Sequence, residues 1–248
     1  MKIKNLLNAL LACSALFFVS CQVNSSKSFS DIASEDSTNV AVCVWDNVSL
    51  KETADENGKW LSSLSLGETV IYLGKEQSVE TAKKAVTYYN IRLKDGKEGW
   101  SQADFIILGS KPAAIIEDSP IYSRPDLLNK TDKVFSSMDI VAVKSENNGF
   151  IEVTGKRKDG KWLETGWIKS SAVTYKDVDV AVAKFASKAM SIKEESKKIE
   201  AIEDIINNSD LDSSIFIENL KSFLPKDDID EDSSESEGEI ESDSDEAE

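Results

Sequence analysis

Two stretches of the chain carry the same order of apolar runs and turn residues, and this duplication limits the fold more than any other feature. In residues 40–108, short apolar or alternating runs (Val40–Val44, Thr69–Leu73, Tyr88–Leu93, Phe105–Leu108) are separated by Glu56-Asn57-Gly58, Leu66-Gly67-Glu68 and Lys94-Asp95-Gly96-Lys97. Residues 113–174 repeat the pattern with Ala113–Ile116, Ile140–Val143, Phe150–Thr154 and Trp167-Ile168, and with turns at Asn147-Asn148-Gly149 and Lys158-Asp159-Gly160-Lys161. Val70-Ile71 lines up with Ile140-Val141, and Gly99-Trp100 with Gly166-Trp167, at offsets of 70 and 67 residues. Short runs between such turn signals predict strands, and Asp95-Gly96 predicts a tight primed hairpin turn because both residues tolerate positive φ. The repeat predicts a tandem duplication. About five short strands in each sixty-odd residues predict small barrels rather than a sandwich.

The repeated runs resemble bacterial SH3-like (Src-homology-3, SH3b-type) domains. In the first copy the resemblance lies in Val48-Ser49-Leu50-Lys51-Glu52-Thr53-Ala54-Asp55, in Leu66-Gly67-Glu68-Thr69-Val70-Ile71 and in the run from Ile91 to Gly99-Trp100. The second copy offers Pro120-Ile121-Tyr122-Ser123-Arg124-Pro125, Met138-Asp139-Ile140-Val141, Gly149-Phe150-Ile151-Glu152-Val153 and Thr165-Gly166-Trp167-Ile168. The first copy departs from the family in lacking Gly-Pro after the opening strand, and its loop from Glu76 to Val86 is long. The resemblance implies barrels that bind extended ligands on an aromatic surface. By position, Trp45, Trp60, Tyr88, Tyr89 and Trp100 supply that groove in the first copy, and Tyr122, Phe150 and Trp167 in the second. The Gly-Trp tryptophans of the family belong to the barrel core, which leaves one or two of the other aromatics exposed.

After the repeats the apolar period changes. Phe185, Ile192, Ile199 and Ile206 fall seven apart with Ala189, Ile202 and Ile205 beside them. This spacing predicts one long amphipathic helix, capped at Asp177 or Asp179 and running to Asn207-Asn208. A second, shorter helix is expected from Leu211 to Leu224, capped by Ser213 or Ser214 and stopped by Pro225. The stripe either packs on a barrel or docks a partner helix, and packing is favoured because Lys188, Glu195, Ser196 and Glu203 fill the second seam of a coiled coil poorly.

The two ends are of different character. Residues 1–20 join Lys2 and Lys4 to an apolar run from Leu6 to Val19, too short to span a bilayer and read as an export signal. Ser20-Cys21 at its end resembles a bacterial lipobox, although Phe18 stands where leucine is usual. The resemblance implies cleavage between Ser20 and Cys21, acylation of the Cys21 thiol and attachment to a membrane of the cell envelope. Gln22, which is not aspartate, favours the outer membrane. Residues 21–39 read as a serine-rich tether. Residues 226–248 carry thirteen acids and one lysine and read as a disordered tail. The remaining units are 40–109 and 110–175, one barrel each, and the helical segment 176–225, so the fold class is mainly β with C-terminal α.

Charge and composition then exclude chemistry. The formal charge is −16, from 29 basic and 45 acidic residues, and most of the excess sits in the tail. This balance opposes nucleic-acid binding, which needs a cationic face. Histidine is absent, so histidine-based catalytic triads and histidine metal sites are excluded. Once Cys13 leaves with the signal and Cys21 is acylated, Cys43 is alone and is expected as a buried apolar residue. In the tail, Asp228, Asp230, Asp232, Ser236 and Glu239 approach the spacing of a calcium loop, but Ser233 replaces the turn glycine and Glu235 the packing residue. We therefore expect no metal site, no cofactor and no catalytic residue. The expectation is a non-enzymatic envelope protein held by lipidated Cys21, with barrels that bind cell-wall peptidoglycan or an envelope protein. The alternatives are a scaffold docking through the helices and a surface adhesin using the tail.

Overall fold

The structure is a computed structural model that describes residues 39–82 and 84–225. The signal peptide with Ser20 and Cys21, nearly all of the tether, and the tail with its calcium-loop spacing lie outside those residues. Fourteen strands form two curled antiparallel sheets of seven. The first sheet contains β1 (Val40–Cys43), β2 (Val48–Lys51), β3 (Trp60–Leu64), β4 (Thr69–Glu80), β5 (Ala85–Arg92), β6 (Glu98–Gln102) and β7 (Ile106–Leu108). The second contains β8 (Lys111–Ile115), β9 (Ser119–Tyr122), β10 (Lys130–Phe135), β11 (Ile140–Asn147), β12 (Phe150–Lys156), β13 (Leu163–Lys169) and β14 (Val173–Thr174). The spatial orders, β3-β2-β6-β5-β4-β1-β7 and β10-β9-β13-β12-β11-β8-β14, are the same arrangement displaced by seven strands.

Hydrogen bonds set the true alignment of the copies. Gly67 N–H donates to Cys43 O and Glu68 O accepts from Cys43 N, just as Met138 N–H donates to Ile115 O and Asp139 O accepts from Ile115 N. Gly67 and Met138 also share a left-handed backbone, at φ 75° and 66°. Val70 therefore corresponds to Val141, and the sequence alignment of Val70-Ile71 with Ile140-Val141 is one residue out. Consecutive β-branched residues look alike in sequence, but a slip of one residue sends every side chain to the opposite face. Val70 and Val141 are both fully buried.

The turns differ from expectation in one hairpin. Asn148-Gly149 forms the primed two-residue turn between β11 and β12, with φ of 51° and 77°. Between β5 and β6 only Gly96 is left-handed, at φ 84°. Gly96 N–H donates to Leu93 O and Leu93 N–H to Lys97 O, so this turn is longer and ends in a glycine bulge instead of a primed pair.

Each sheet curls around its own core, built on Leu50, Leu64, Val70 and Ile91 in the first and on Phe135, Val141, Ile151 and Ile168 in the second. Cys43 belongs to the first core, as expected of a small apolar residue. Burial pushes its thiol up to about 12, and Sγ donates to Trp45 O at 3.1 Å. Gly109-Ser110 alone separates β7 from β8, so the sheets lie against each other through Val42, Val44 and Ala142, with Ile107 and Leu163 beside them.

The helices are α1 (Asp177–Met190), α2 (Glu195–Ile206) and α3 (Ile217–Lys221). The single long helix expected from the seven-residue stripe is broken at 191–194, and α2 folds back on α1. Phe185 of that stripe is exposed, whereas Val182, Ala183, Ala186 and Ala189 are buried with Ile202 and Ile205. Burying each isoleucine contributes about 2 kcal/mol, and a straight helix would hold both away from the cluster. The same cluster takes in Phe216 and Leu220 and packs on Ala114 and Ile140 of the second sheet. The shorter helix is only Ile217–Lys221. Ser214 lies near its start, where the hydroxyl accepts from Phe216 N–H at 3.3 Å.

Asp179 does not cap α1. It is fully buried in the first turn, where its carboxylate accepts from Thr174 Oγ1 at 2.7 Å and from Ile215 N at 3.0 Å. One side chain thus ties β14, α1 and the segment before α3, at a helix end whose dipole favours negative charge. Asp179→Ala strands both donors and is expected to cost about 2–5 kcal/mol, with Asp179→Asn intermediate, as read from urea midpoints.

Asp139, in the turn before β11, accepts from Ser136 N at 2.9 Å and from Lys158 N at 3.4 Å. Burial outweighs these bonds and raises its carboxyl from 3.8 to about 6. A native carboxyl of raised pKa holds its proton longer than the unfolded one, so its contribution falls as pH rises through that window. Asp139→Asn is therefore expected to gain stability relative to the parent between pH 4 and 6. Flat parallel curves of unfolding midpoint against pH would contradict this.

Candidate ligand-binding site

Strand alternation sorts the side chains of the first sheet into two faces. Leu50, Ser101 and Ile91 face the core, and the residues beside them in each strand face outward. Register places Lys51 of β2 opposite both Trp60 of β3 and Trp100 of β6, so Trp60, Lys51 and Trp100 form one row across three strands of the outer face. Asn90 of β5 continues the row beside Trp100. Trp60 is 61 % exposed, with its indole N–H donating to Ser63 Oγ at 3.2 Å, and Trp100 is half-buried. Lys51 Nζ donates to Glu56 O, which draws the β2–β3 loop toward the row.

Gly99 explains why tryptophan follows glycine here. A Cβ at Gly99 would stand 2.6 Å from Lys51 O, and one at Gly166 2.4 Å from Ile121 Cγ2. The neighbouring strand crosses at that point, so only glycine admits it and the next residue is turned outward. Trp100 and Trp167 are therefore half-buried on the outer faces and not the core residues that the sequence resemblance implied.

Two clefts flank the row. One, about 650 Å³ and open to solvent, lies between Trp100, the β2–β3 loop (Thr53, Asp55, Gly58) and Gln77 and Val79 of β4. The other, about 260 Å³, has Trp45, Lys51, Tyr88, Gln102 and Phe105 among its walls. Trp45 packs on Phe105 at 5.6 Å between ring centres, and Lys156 Nζ from the second sheet sits 4.6 Å over its ring. Aromatic faces, the ammonium groups of Lys51 and Lys156 and backbone groups around an open trough suit an extended chain carrying a carboxylate.

The aromatic residues singled out from sequence are thus divided. Trp45 and Tyr88 meet in the smaller cleft, though Tyr88 is only 2 % exposed, and Trp60 stands at the edge of the row. Tyr89 points to the other face, edge-on to Tyr72 at 5.1 Å, and its hydroxyl is shifted upward by burial. In the second sheet the pairs Trp167–Tyr122, Tyr122–Lys130 and Trp167–Glu152 reproduce the row position for position. There Lys130 replaces Trp60, Tyr122 replaces Lys51 and Phe150 replaces Tyr88. These two rings close edge-to-face at 5.2 Å and are buried. Sequence reasoning missed Lys51, which only cross-strand register brings between two tryptophans, and Trp162, which is 81 % exposed in the β12–β13 loop.

No protein-family model matches the chain, and no curated protein matches it. Among solved structures, NlpC2 from Trichomonas vaginalis is 18 % identical, matching 62 % of this chain and 55 % of its own at a TM-score of 0.24. NlpC1 from the same organism is 15 % identical, matching 60 % of this chain and 52 % of its own at a TM-score of 0.23. The chain spans about half the length of these two proteins.

The crossing at Gly99 gives a direct test. Gly99→Ala forces Lys51 and Trp100 apart and is expected to lose about 1–3 kcal/mol. Gly74→Ala, with open space around its Cβ but φ of 72°, carries a cost of a different origin, about 1–2 kcal/mol for a left-handed alanine. An unchanged thermal midpoint for Gly99→Ala would contradict the close-approach account.

Proposed function

We propose that this protein is a non-enzymatic, lipid-anchored component of the bacterial cell envelope whose first sheet binds extended cell-wall peptide or a segment of an envelope protein. The supporting observation is the row Trp60–Lys51–Trp100 on the outer face, open on both sides. A tryptophan with most of its surface in water adds little to folding, whereas such rings are common anchors of binding. The second sheet, whose corresponding row is Lys130–Tyr122–Trp167 with Tyr122 closed against Phe150, acts in this reading as the support of the first. The bacterial SH3-like resemblance of both copies agrees with it. Export by residues 1–20 and acylation of Cys21 would hold the sheets at a membrane, the outer one favoured, within reach of the wall. The alternative of helix docking loses ground because the apolar faces of α1 and α2 pack on each other and on the second sheet.

Co-sedimentation of residues 22–248 with purified sacculi tests the binding. Saturable binding is expected, with Trp60→Ala weakening it about fivefold or more while the thermal midpoint stays in place. Absence of binding by the parent chain would refute the wall ligand. Cys21→Ser is expected to abolish palmitate labelling and to release the chain from the membrane fraction. Unchanged labelling would refute lipidation at that residue.

A further inference from the structure

Two loops of the second sheet hold large apolar side chains out in water. The β9–β10 loop ends in a short 3₁₀ turn, Leu127–Asn129, in which Leu127 is 64 % and Leu128 96 % exposed. Asp126 fixes that turn by accepting from Leu128 N at 2.7 Å and from the Asn129 side-chain amide. Ser123 N–H closes the base of the loop by donating to Asn129 O at 2.9 Å. An ordered loop thus turns two adjacent leucines outward, which the ordinary scatter of single surface leucines does not explain. The β12–β13 loop carries Trp162, at 81 % the most exposed of the five tryptophans. Because β9 pairs antiparallel with β13, the loop that follows β9 and the loop that precedes β13 leave the sheet at the same end. Lys133 of β10 and Arg157 of the β12–β13 loop both reach Glu164, at 2.8 and 3.9 Å, and tie the strands together there.

The same loops concentrate positive charge in a chain whose formal charge is −16. Residues 123–130 and 157–162 hold five cations, Arg124, Lys130, Arg157, Lys158 and Lys161, against the two carboxylates of Asp126 and Asp159. Asp126 is taken up by its own turn, Arg157 pairs with Glu164, and Lys158 faces Asp139. Arg124, Lys130 and Lys161 are exposed and form no ion pair among the described residues. We propose that the β9–β10 and β12–β13 loops enter the surface of an anionic lipid bilayer, with Leu127, Leu128 and Trp162 in the interface and the free cations on lipid phosphates. The apolar side chains stand on two separate convex tips, which suit a deformable surface and not the groove of a folded partner. Tryptophan and basic side chains belong at the headgroup level, where anionic lipids attract each lysine or arginine. The capped turn adds to this by holding the leucines ready, so little is lost in ordering them on insertion. The inference stands apart from the binding proposed for the row Trp60–Lys51–Trp100 and from acylation of Cys21.

Flotation of residues 22–248, which lack the acylated cysteine, with lipid vesicles tests the contact. Saturable binding is expected to phosphatidylethanolamine vesicles containing about 30 % phosphatidylglycerol, and much weaker binding to phosphatidylcholine alone. Leu127→Ser/Leu128→Ser and Trp162→Ser are each expected to weaken binding about fivefold or more with the thermal midpoint in place, while Trp60→Ala leaves it unchanged. Lipid spin-labelled near the headgroup is expected to quench tryptophan emission of the parent chain, and that quenched component is expected to vanish in Trp162→Phe. Absence of binding to the anionic vesicles would overturn the proposal. So would binding kept in full by either loop variant, which would make the attraction a matter of charge alone. Neither result would alter the outcome expected with sacculi or with palmitate labelling.

Discussion

The two-residue passage from β7 to β8 is the constraint on which the rest of the molecule depends. With only Gly109 and Ser110 between the sheets, the chain cannot hold them apart, and Val42 and Val44 come to rest on Ala142. Ser110 is itself buried, its hydroxyl donating to Ile107 O at 2.6 Å, so the link is fixed at both ends. This arrangement leaves Ala114 and Ile140 with an apolar side turned away from their own core, and the broken helical pair covers it. Asp179 then locks the cover by joining β14 to the segment before α3.

Duplication followed by divergence accounts for the asymmetry of the two outer faces. The strand order and the pairings of the row correspond, including the glycines that admit the crossing strand. Three exchanges, Tyr122 for Lys51, Phe150 for Tyr88 and Lys130 for Trp60, change what the face can do. A tyrosine at the middle of the row meets Phe150 and fills the trough, whereas a lysine reaches along the surface to Glu56 O and leaves a cleft on either side.

Much of the fold could be read from the sequence, and the failures have physical causes. Turn residues and short apolar runs marked the strands, and the repeated Gly-Trp marked the duplication. The one-residue misalignment at Val70 came from a run of β-branched residues that carries no internal landmark. Gly67 and Met138 would have supplied one, but a left-handed methionine cannot be anticipated from residue type. The helix was misjudged because Phe185, Ile192, Ile199 and Ile206 keep a seven-residue period, while the alanines at 183, 186 and 189 do the packing. For the candidate site, aromatic content was visible but facing was not. Tyr122, Phe150 and Tyr88 are covered by neighbours from other strands, and Lys51 gains its position only through register.

The claim that the outer face of the first sheet is the binding surface can be tested most directly through its five tryptophans. Indole N–H resonances of Trp45, Trp60, Trp100, Trp162 and Trp167 report on the two outer faces, the inter-sheet contact and an exposed loop in one spectrum. On titration with soluble peptidoglycan fragments, the account predicts saturable shifts of Trp60 and Trp100, with Trp162 and Trp167 unmoved. Shifts led by Trp162 or Trp167, or none at saturating fragment, would contradict it.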